Sequence, residues 1–416
     1  TDGISLERKS LMDPCSSKDN WGASQGLLGG TPGATNSIND TLPDVVKPTL
    51  LEANVLDAHY LSLRFSEPID TTTLANTDLL IEPDLGSFER LVFAYENSVN
   101  EAQCLLVFGP EIPNSAPFLI QLEAVADCWM NFTTLAANAI RYEAPLVGDL
   151  VINELLFDPP NSGEDFVELY NRSQKYLDLS ACGFHNCQDS IFLTACKMAP
   201  QQFLALGSDT HFLTDYYPYA KAENLVEKSL PYFYNDSGTC VLFSNASVLD
   251  SLHYSASWHF PFLPDSEGYS LERINVNTPT QTPENWFSGA ASYGGATPGR
   301  ANSQQSSANP AGELSLNFPE LSPDLDGYHD RLEVNYQMSN PGLFACASIF
   351  TLDGQKLKDL LINESIGTNG QFFWDGTTQF GTLAPAGIYV LYFQAFSTNP
   401  GVFFEKKILF SVCYKA

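Results

Sequence analysis

The chain spells one phrase twice. Gly3-Ile4-Ser5-Leu6-Glu7-Arg8, Asn20-Trp21, Gly29-Gly30-Thr31-Pro32-Gly33 and Asn36-Ser37 return as Gly268-Tyr269-Ser270-Leu271-Glu272-Arg273, Asn285-Trp286, Gly294-Gly295-Ala296-Thr297-Pro298-Gly299 and Asn302-Ser303. The offset is 265 residues as far as Gly30 and Gly295 and 266 beyond, so one residue is inserted. A repeat of this length constrains the fold before any local propensity does, because both copies call for one kind of local structure. The second copy closes a long stretch of chain; the first has no such stretch before it. Residues 1–37 therefore read as the C-terminal fragment of a preceding domain, and the whole as the C-terminal part of something longer.

Between the copies helical periodicity is nearly absent. Short apolar or alternating runs recur, such as Tyr60-Leu61-Ser62-Leu63-Arg64-Phe65, Phe118-Leu119-Ile120-Gln121-Leu122 and Tyr389-Val390-Leu391-Tyr392-Phe393, separated by Pro, Gly, Asn and Asp. That pattern predicts an all-β chain of tandem β-sandwich domains. At 416 residues about three domains are expected. The boundaries read as the fragment 1–37, a linker 38–47, a sandwich 48–147, a second 148–303, a linker 304–312 and a third sandwich 313–416. Asp353-Gly354 and Asp375-Gly376 mark hairpin turns in the last.

The middle sandwich resembles the lamin-tail domain, which is immunoglobulin-like. The residues that carry the resemblance are Val151-Ile152-Asn153-Glu154-Leu155, Glu164-Asp165-Phe166-Val167-Glu168-Leu169-Tyr170-Asn171, Leu177-Asp178-Leu179-Ser180, Gly183-Phe184, Leu230-Pro231, Trp258-His259-Phe260-Pro261 and the repeated tail. The fragment 1–37 resembles the end of another copy. Residues 48–147 resemble bacterial immunoglobulin-like modules of surface proteins through Phe65-Ser66-Glu67-Pro68-Ile69-Asp70. The last sandwich is similar to the C-terminal immunoglobulin-like domain of Bacteroidota proteins exported by the type IX secretion system, and to flagellar hook-capping proteins. Its carriers are Phe318-Pro319, Leu321-Ser322-Pro323-Asp324-Leu325-Asp326-Gly327, Ile349-Phe350-Thr351-Leu352-Asp353-Gly354, Phe373-Trp374-Asp375-Gly376, Gly387-Ile388-Tyr389 and Lys406-Lys407. The tail from Val412 to Ala416 departs from the usual ending of those proteins.

Net charge is −29, from 49 acidic against 20 basic residues. Nucleic acid is disfavoured as a partner, because phosphate binding needs clustered Lys and Arg. No run approaches the roughly 18 apolar residues of a membrane-spanning helix. Nine cysteines divide among the domains as Cys104 with Cys128, four between Cys182 and Cys240, and Cys346 with Cys413, leaving Cys15. That division predicts bridges inside each domain and an oxidising compartment.

Motifs of catalysis are missing: no GxSxG elbow, HExxH, P-loop or GxGxxG occurs. The sharpest metal candidate is Asp324, Asp326 and Asp330, alternate aspartates around Gly327 that can aim oxygens at calcium. Asp158, Glu164, Asp165 and Glu168 form a second acidic group, read as structural, with Asn153 and Glu168 tying neighbouring strands. The six histidines are scattered, and the five tryptophans read as core or turn-locking residues. Thr41, Ser190 and Ser251 follow aspartate in the Asp-Ser/Thr-apolar pattern that resembles Bacteroidota O-glycosylation sites.

The expected function is a non-catalytic structural or adhesive part of a large secreted or cell-surface protein, exported by a type IX-like route, with protein partners at the surface or outer membrane, including translocon components. The alternatives are the accessory region of a secreted nuclease or phosphatase, and a stable subunit of an outer-membrane complex.

Overall fold

The computed structural model describes residues 3–12, 20–40, 42–84, 88–93, 103–160, 163–245, 247–261, 263, 265–306, 312–397 and 403–414. The chain is all-β and divides into two compact units: residues 1–143 with 175–177, and residues 144–174 with 178–416.

In the first unit a four-stranded sheet runs Leu50–Val55, Tyr60–Phe65, Gln103–Phe108, Phe88–Phe93. A three-stranded sheet runs Leu79–Glu82, Phe118–Ala126, Phe132–Ala139. Alternation explains the burial. Leu61, Leu63, Phe65, Phe118, Ile120 and Leu122 fill one core with Cys104, Leu106 and Phe108. A one-turn helix, Thr71–Ala75, is capped by Asp70, whose carboxylate accepts the amides of Thr72 and Thr73. Apart from these sheets, Leu6–Arg8 pairs antiparallel with Trp21–Ala23 as a two-stranded ribbon.

The second unit opens with a six-stranded sheet in the order Leu225–Glu227, Phe203–Gly207, Phe166–Asn171, Leu150–Leu156, Leu271–Arg273, Trp286–Ser288. A four-stranded sheet of Ser190–Phe192, Cys182–His185, Ser237–Ser244 and Ser247–Ser255 accompanies it. Every residue of Leu150–Leu156 is buried, as a central strand covered on both faces requires. Its register with Phe166–Asn171 shifts between Ile152 and Glu154, a bulge at Asn153.

The terminal sandwich pairs a three-stranded sheet (Glu313–Leu316, Leu332–Gln337, Asn369–Trp374) with a five-stranded one (Glu320–Leu321, Phe403–Val412, Gly387–Phe396, Leu343–Thr351, Lys356–Ile366). Trp374, Tyr389, Phe393 and Phe410 make its aromatic core.

Composition marks residues 304–312 as a linker, yet Gln304 is buried. Its amide donates to Glu272 Oε2 at 2.8 Å, and its side-chain oxygen accepts Gly342 N at 2.8 Å. Thr368 N donates to Ser303 O at 2.8 Å, Tyr293 Oη to Asn369 O at 3.0 Å, and the Phe260 and Phe344 rings lie 4.3 Å apart. The two sandwiches of the second unit are thus joined by buried hydrogen bonds and ring contacts.

The bridges expected within domains are not formed. Cys104, Cys182, Cys187, Cys196, Cys240, Cys346 and Cys413 are free thiols. Cys104 sits in the apolar core of its sandwich, and burial pushes its thiol up to about 12. Cys128 is disulfide-bonded, and its partner lies outside the described residues, as does Cys15. Equal numbers of cysteines in a domain did not translate into pairing, because core positions favour a small apolar thiol as such. Trp286 and Trp374 are core residues as expected, whereas Trp21 is 43% exposed.

Candidate functional site

Three glutamates stand side by side at the centre of the six-stranded sheet. Glu154 opposes Glu168 in one ladder and Glu272 in the other, and all three are fully buried. Like charges directly opposite one another destabilise a sheet, so the surroundings must offset them. Ser270 Oγ and Thr297 N donate to Glu154 Oε1 at 2.5 and 2.8 Å. Asn153 Nδ2, brought round by the bulge, donates to Glu168 Oε1 at 2.8 Å, and Gly299 N to Oε2 at 2.6 Å. Ser303 Oγ and Gln304 N both reach Glu272 Oε2 at 2.8 Å.

Among the described ion pairs none involves these carboxyls. Burial and then the neighbouring Glu272 push Glu154 up to about 8. Burial pushes Glu272 to about 7, against the hydrogen bonds from Ser303, Gln304 and Thr297. Glu168 lies well above the ordinary carboxylate range, through burial first and Glu154 second. Each member of the ladder therefore takes up a proton more readily than an exposed carboxyl does. The ladder is sealed from solvent, and through the amides of Thr297, Gly299 and Gln304 it locks the tail of this sandwich onto the central strands.

The buried Arg273 lies beside this lock. Its Nη1 donates to Ile152 O at 2.9 Å and pairs with Asp250 at 3.3 Å. Asp250 in turn accepts Ile152 N and Thr280 Oγ1, tying the second sheet to the first.

The structure gathers Asp324, Asp326 and Asp330, with one oxygen of each within 4.8 Å of the others. Leu325, Gly327 and His329 all take positive φ, which curls the loop. Asp330 Oδ2 accepts Gly327 N at 2.7 Å, Asp326 Oδ1 accepts Tyr328 N at 2.9 Å, and Asp330 Oδ1 is buried without a donor. These oxygens could hold a hard cation.

A second acidic cluster, missed by the sequence reading, joins Asp44, Glu67 and Asp127 within the same limit. Asp127 is spent on its own turn, accepting Trp129 N at 2.8 Å and Asn131 N at 2.9 Å. Burial, then Asp127 and Asp44, push Glu67 up to about 7. Nothing in the sequence spacing announces this cluster, since its members come from a segment read as linker, a strand end and a distant turn.

The acidic group around Asp158 and Asp165 does not converge on a cleft. Asp165 accepts Phe233 N, Asp158 accepts Asn235 Nδ2, and Glu168 belongs to the ladder instead. Burial pushes Asp165 up to about 7. No histidine joins the acidic clusters among the described residues. His259 is buried against Ser288 Oγ at 2.9 Å and driven down to about 4 by burial. Ser190 is exposed on an edge strand, and Ser251 is half-buried in mid-strand beside the occupied Asp250; Thr41 lies outside the described residues. The surface of the second unit offers depressions of about 450, 190 and 180 Å³; the latter two flank Arg300, whose guanidinium lies over Tyr219 and Tyr293.

No family profile matches the chain, and no curated protein sequence matches it. Among solved structures the chain is similar to the N-terminal part of the bacterial S-layer protein SbsC (9% identity, TM-score 0.22, covering 50% of this chain and 44% of that one). It is also similar to dimeric latent PorU from Porphyromonas gingivalis (10%, TM-score 0.21, covering 89% and 34%). A third is PorZ, described as an essential surface component of the type IX secretion system of Porphyromonas gingivalis (12%, TM-score 0.20, covering 95% and 63%). The chain spans less than two thirds of each of these proteins. The functional reading therefore rests on this chain's own residues. Among the described residues no helix is long and apolar enough to cross a membrane.

Proposed function

We propose that this chain is a non-catalytic structural or adhesive segment of a secreted or cell-surface protein, exported by a type IX-like route, and that it works as a stiff spacer between partner-binding surfaces. The observation that carries the reading is the continuity of the carboxyl lock with the junction. Glu272 binds Gln304 N, and Gln304 Oε1 binds Gly342 N, so the hydrogen bonds that close one sandwich also hold the next. A hinge for substrate closure would leave such a join solvated and slack. The sealed polar centre supports a role carried by surfaces.

The experiment is protease treatment of intact cells of the producing bacterium, followed with an antibody against this chain. Digestion on intact cells supports the reading. Protection until the cells are lysed, or substrate turnover abolished by a substitution in this chain, contradicts it.

A further inference from the structure

The two copies of the repeated phrase fold alike. Leu6, Glu7 and Arg8 oppose Ala23, Gly22 and Trp21, as Leu271, Glu272 and Arg273 oppose Ser288, Phe287 and Trp286. Asn20 accepts Ser10 N and donates to Ser10 O, as Asn285 does with Asn275. Asn36 Nδ2 donates to Arg8 O at 2.9 Å, as Asn302 Nδ2 does to Arg273 O at 2.9 Å. Glu7 accepts Thr31 Oγ1 and Ser37 Oγ, the same pair that Thr297 and Ser303 present to Glu272. Ser5 N donates to Gly29 O and Ser270 N to Gly295 O, which sets Gly29 opposite Gly295 and moves the inserted residue ahead of them, between Trp286 and Gly295.

One side differs. In the complete copy the strand Leu150–Leu156 pairs with Leu271–Arg273, and its neighbour Phe166–Asn171 lies beyond. Ser270 and Thr297 then reach Glu154, Gly299 reaches Glu168, and Asn302 exchanges hydrogen bonds with Asn153. In the first copy Leu6–Arg8 has one strand neighbour among the described residues. Leu6 is 67% exposed where Leu271 is fully buried, and Trp21 is 43% exposed where Trp286 is 2% exposed. Ser5 and Gly33 are exposed where Ser270 and Gly299 are buried. The intact copy shows what such an edge accepts.

We propose that the Leu6–Arg8 edge is an acceptor for an antiparallel strand pair of the Leu150–Leu156 and Phe166–Asn171 kind, presenting an Asn-Glu step to Ser5, Thr31 and Asn36 and a second glutamate to Gly33. Strand addition supplies main-chain hydrogen bonds, and the carboxyl-to-hydroxyl and carboxyl-to-amide contacts supply register and specificity. The apolar residues flanking the incoming glutamate would cover Leu6, as Leu155 covers Leu271.

The state of Glu7 agrees with an unfilled edge. Burial by its own turn raises it, but hydrogen bonds from Ser37, Ser24 and Thr31 outweigh that and hold it down at about 2, whereas Glu272 is raised to about 7. The inference does not depend on where the protein resides.

The test joins a second copy of residues 148–172 to the N-terminus of the full chain through a flexible Gly/Ser linker, which sets a millimolar effective concentration. Amide exchange is followed by mass spectrometry. Exchange over Ile4–Arg8 is expected to slow at least tenfold, and the same addition carrying E154A and E168A in the added copy is expected to leave it as fast as in the unmodified chain. Equal slowing by both additions, no slowing by the intact sequence, or slowing in the unmodified chain that grows with its concentration would each overturn the proposal; the last would mean that two copies pair.

Discussion

Raising the pH from 5 to 9 should loosen the second unit, and the glutamate ladder sets the sign. Glu154 and Glu272 bind protons in the folded state with values of about 8 and about 7, above the ordinary 4.5, and Glu168 is raised as well. The folded state thus holds more protons than the unfolded chain, so unfolding free energy falls as pH rises. The contribution is complete below about 4.5 and is lost as pH climbs through 7 to 8. At about 1.4 kcal/mol per unit, the shift at Glu154 alone corresponds to about 5 kcal/mol, and Glu272 and Glu168 add to the loss in the same direction. For a unit of this size that is a fall in melting temperature of about 10 °C. Asp165, raised to about 7, adds to the same limb. His259, held near 4, acts at the other end: its contribution is lost as pH falls from 6.5 toward 4. Calorimetry of the full chain across this range reads the slope. The E168Q variant should start lower, because an amide hydrogen replaces an acceptor facing Asn153 or Gly299, yet show a flatter alkaline limb. A midpoint that stays level or rises between pH 5 and 9, or an E168Q slope equal to that of the parent, refutes the reasoning.

At Gly342, φ is +67° and an added Cβ would lie 2.2 Å from the Phe287 ring, so G342A should lower the melting temperature of the second unit and set the transitions of its two sandwiches apart in calorimetry. Trp374→Ala, at the centre of the terminal core, should cost about 3–5 kcal/mol and lower the transition of that sandwich, read by urea unfolding. The E67Q variant should raise the melting temperature of the first unit by about 1–3 °C at pH 8 and leave it unchanged at pH 5, since it removes a charge disfavoured first by burial and then by Asp127 and Asp44. Native maleimide labelling should reach Cys187 and Cys413 well before Cys104, Cys182 and Cys240, followed by peptide mass spectrometry.

The β-sandwich character was legible because half-buried strands alternate, as Phe118–Leu122 and Leu332–Gln337 do. The repeat was legible to the residue, apart from the place of its insertion, which needed the Ser5 and Ser270 hydrogen bonds. The candidate loop at Asp324, Asp326 and Asp330 was visible because its members are close in sequence. The ladder was not. The tie between Asn153 and Glu168 was expected and is formed, but Glu154, Glu168 and Glu272 come from three strands, and Glu168 was grouped with Asp165. A bulge at Asn153 breaks the period of two, so no pattern count shows which face Glu154 takes. The Asp44, Glu67 and Asp127 cluster failed for the same reason of distance along the chain. Cysteine numbers misled because pairing depends on where cores lie, and Cys104 and Cys240 lie inside them.

Hydrogen exchange of the full chain at pH 6 distinguishes a spacer from a pair of independent sandwiches. If the lock and the junction hold the second unit together, the amides of Leu150–Leu156, Gln304, Gly342 and Leu343–Thr351 share one opening free energy. Gln304 and Gly342 exchanging orders of magnitude faster than both flanking cores would show that the sandwiches move independently.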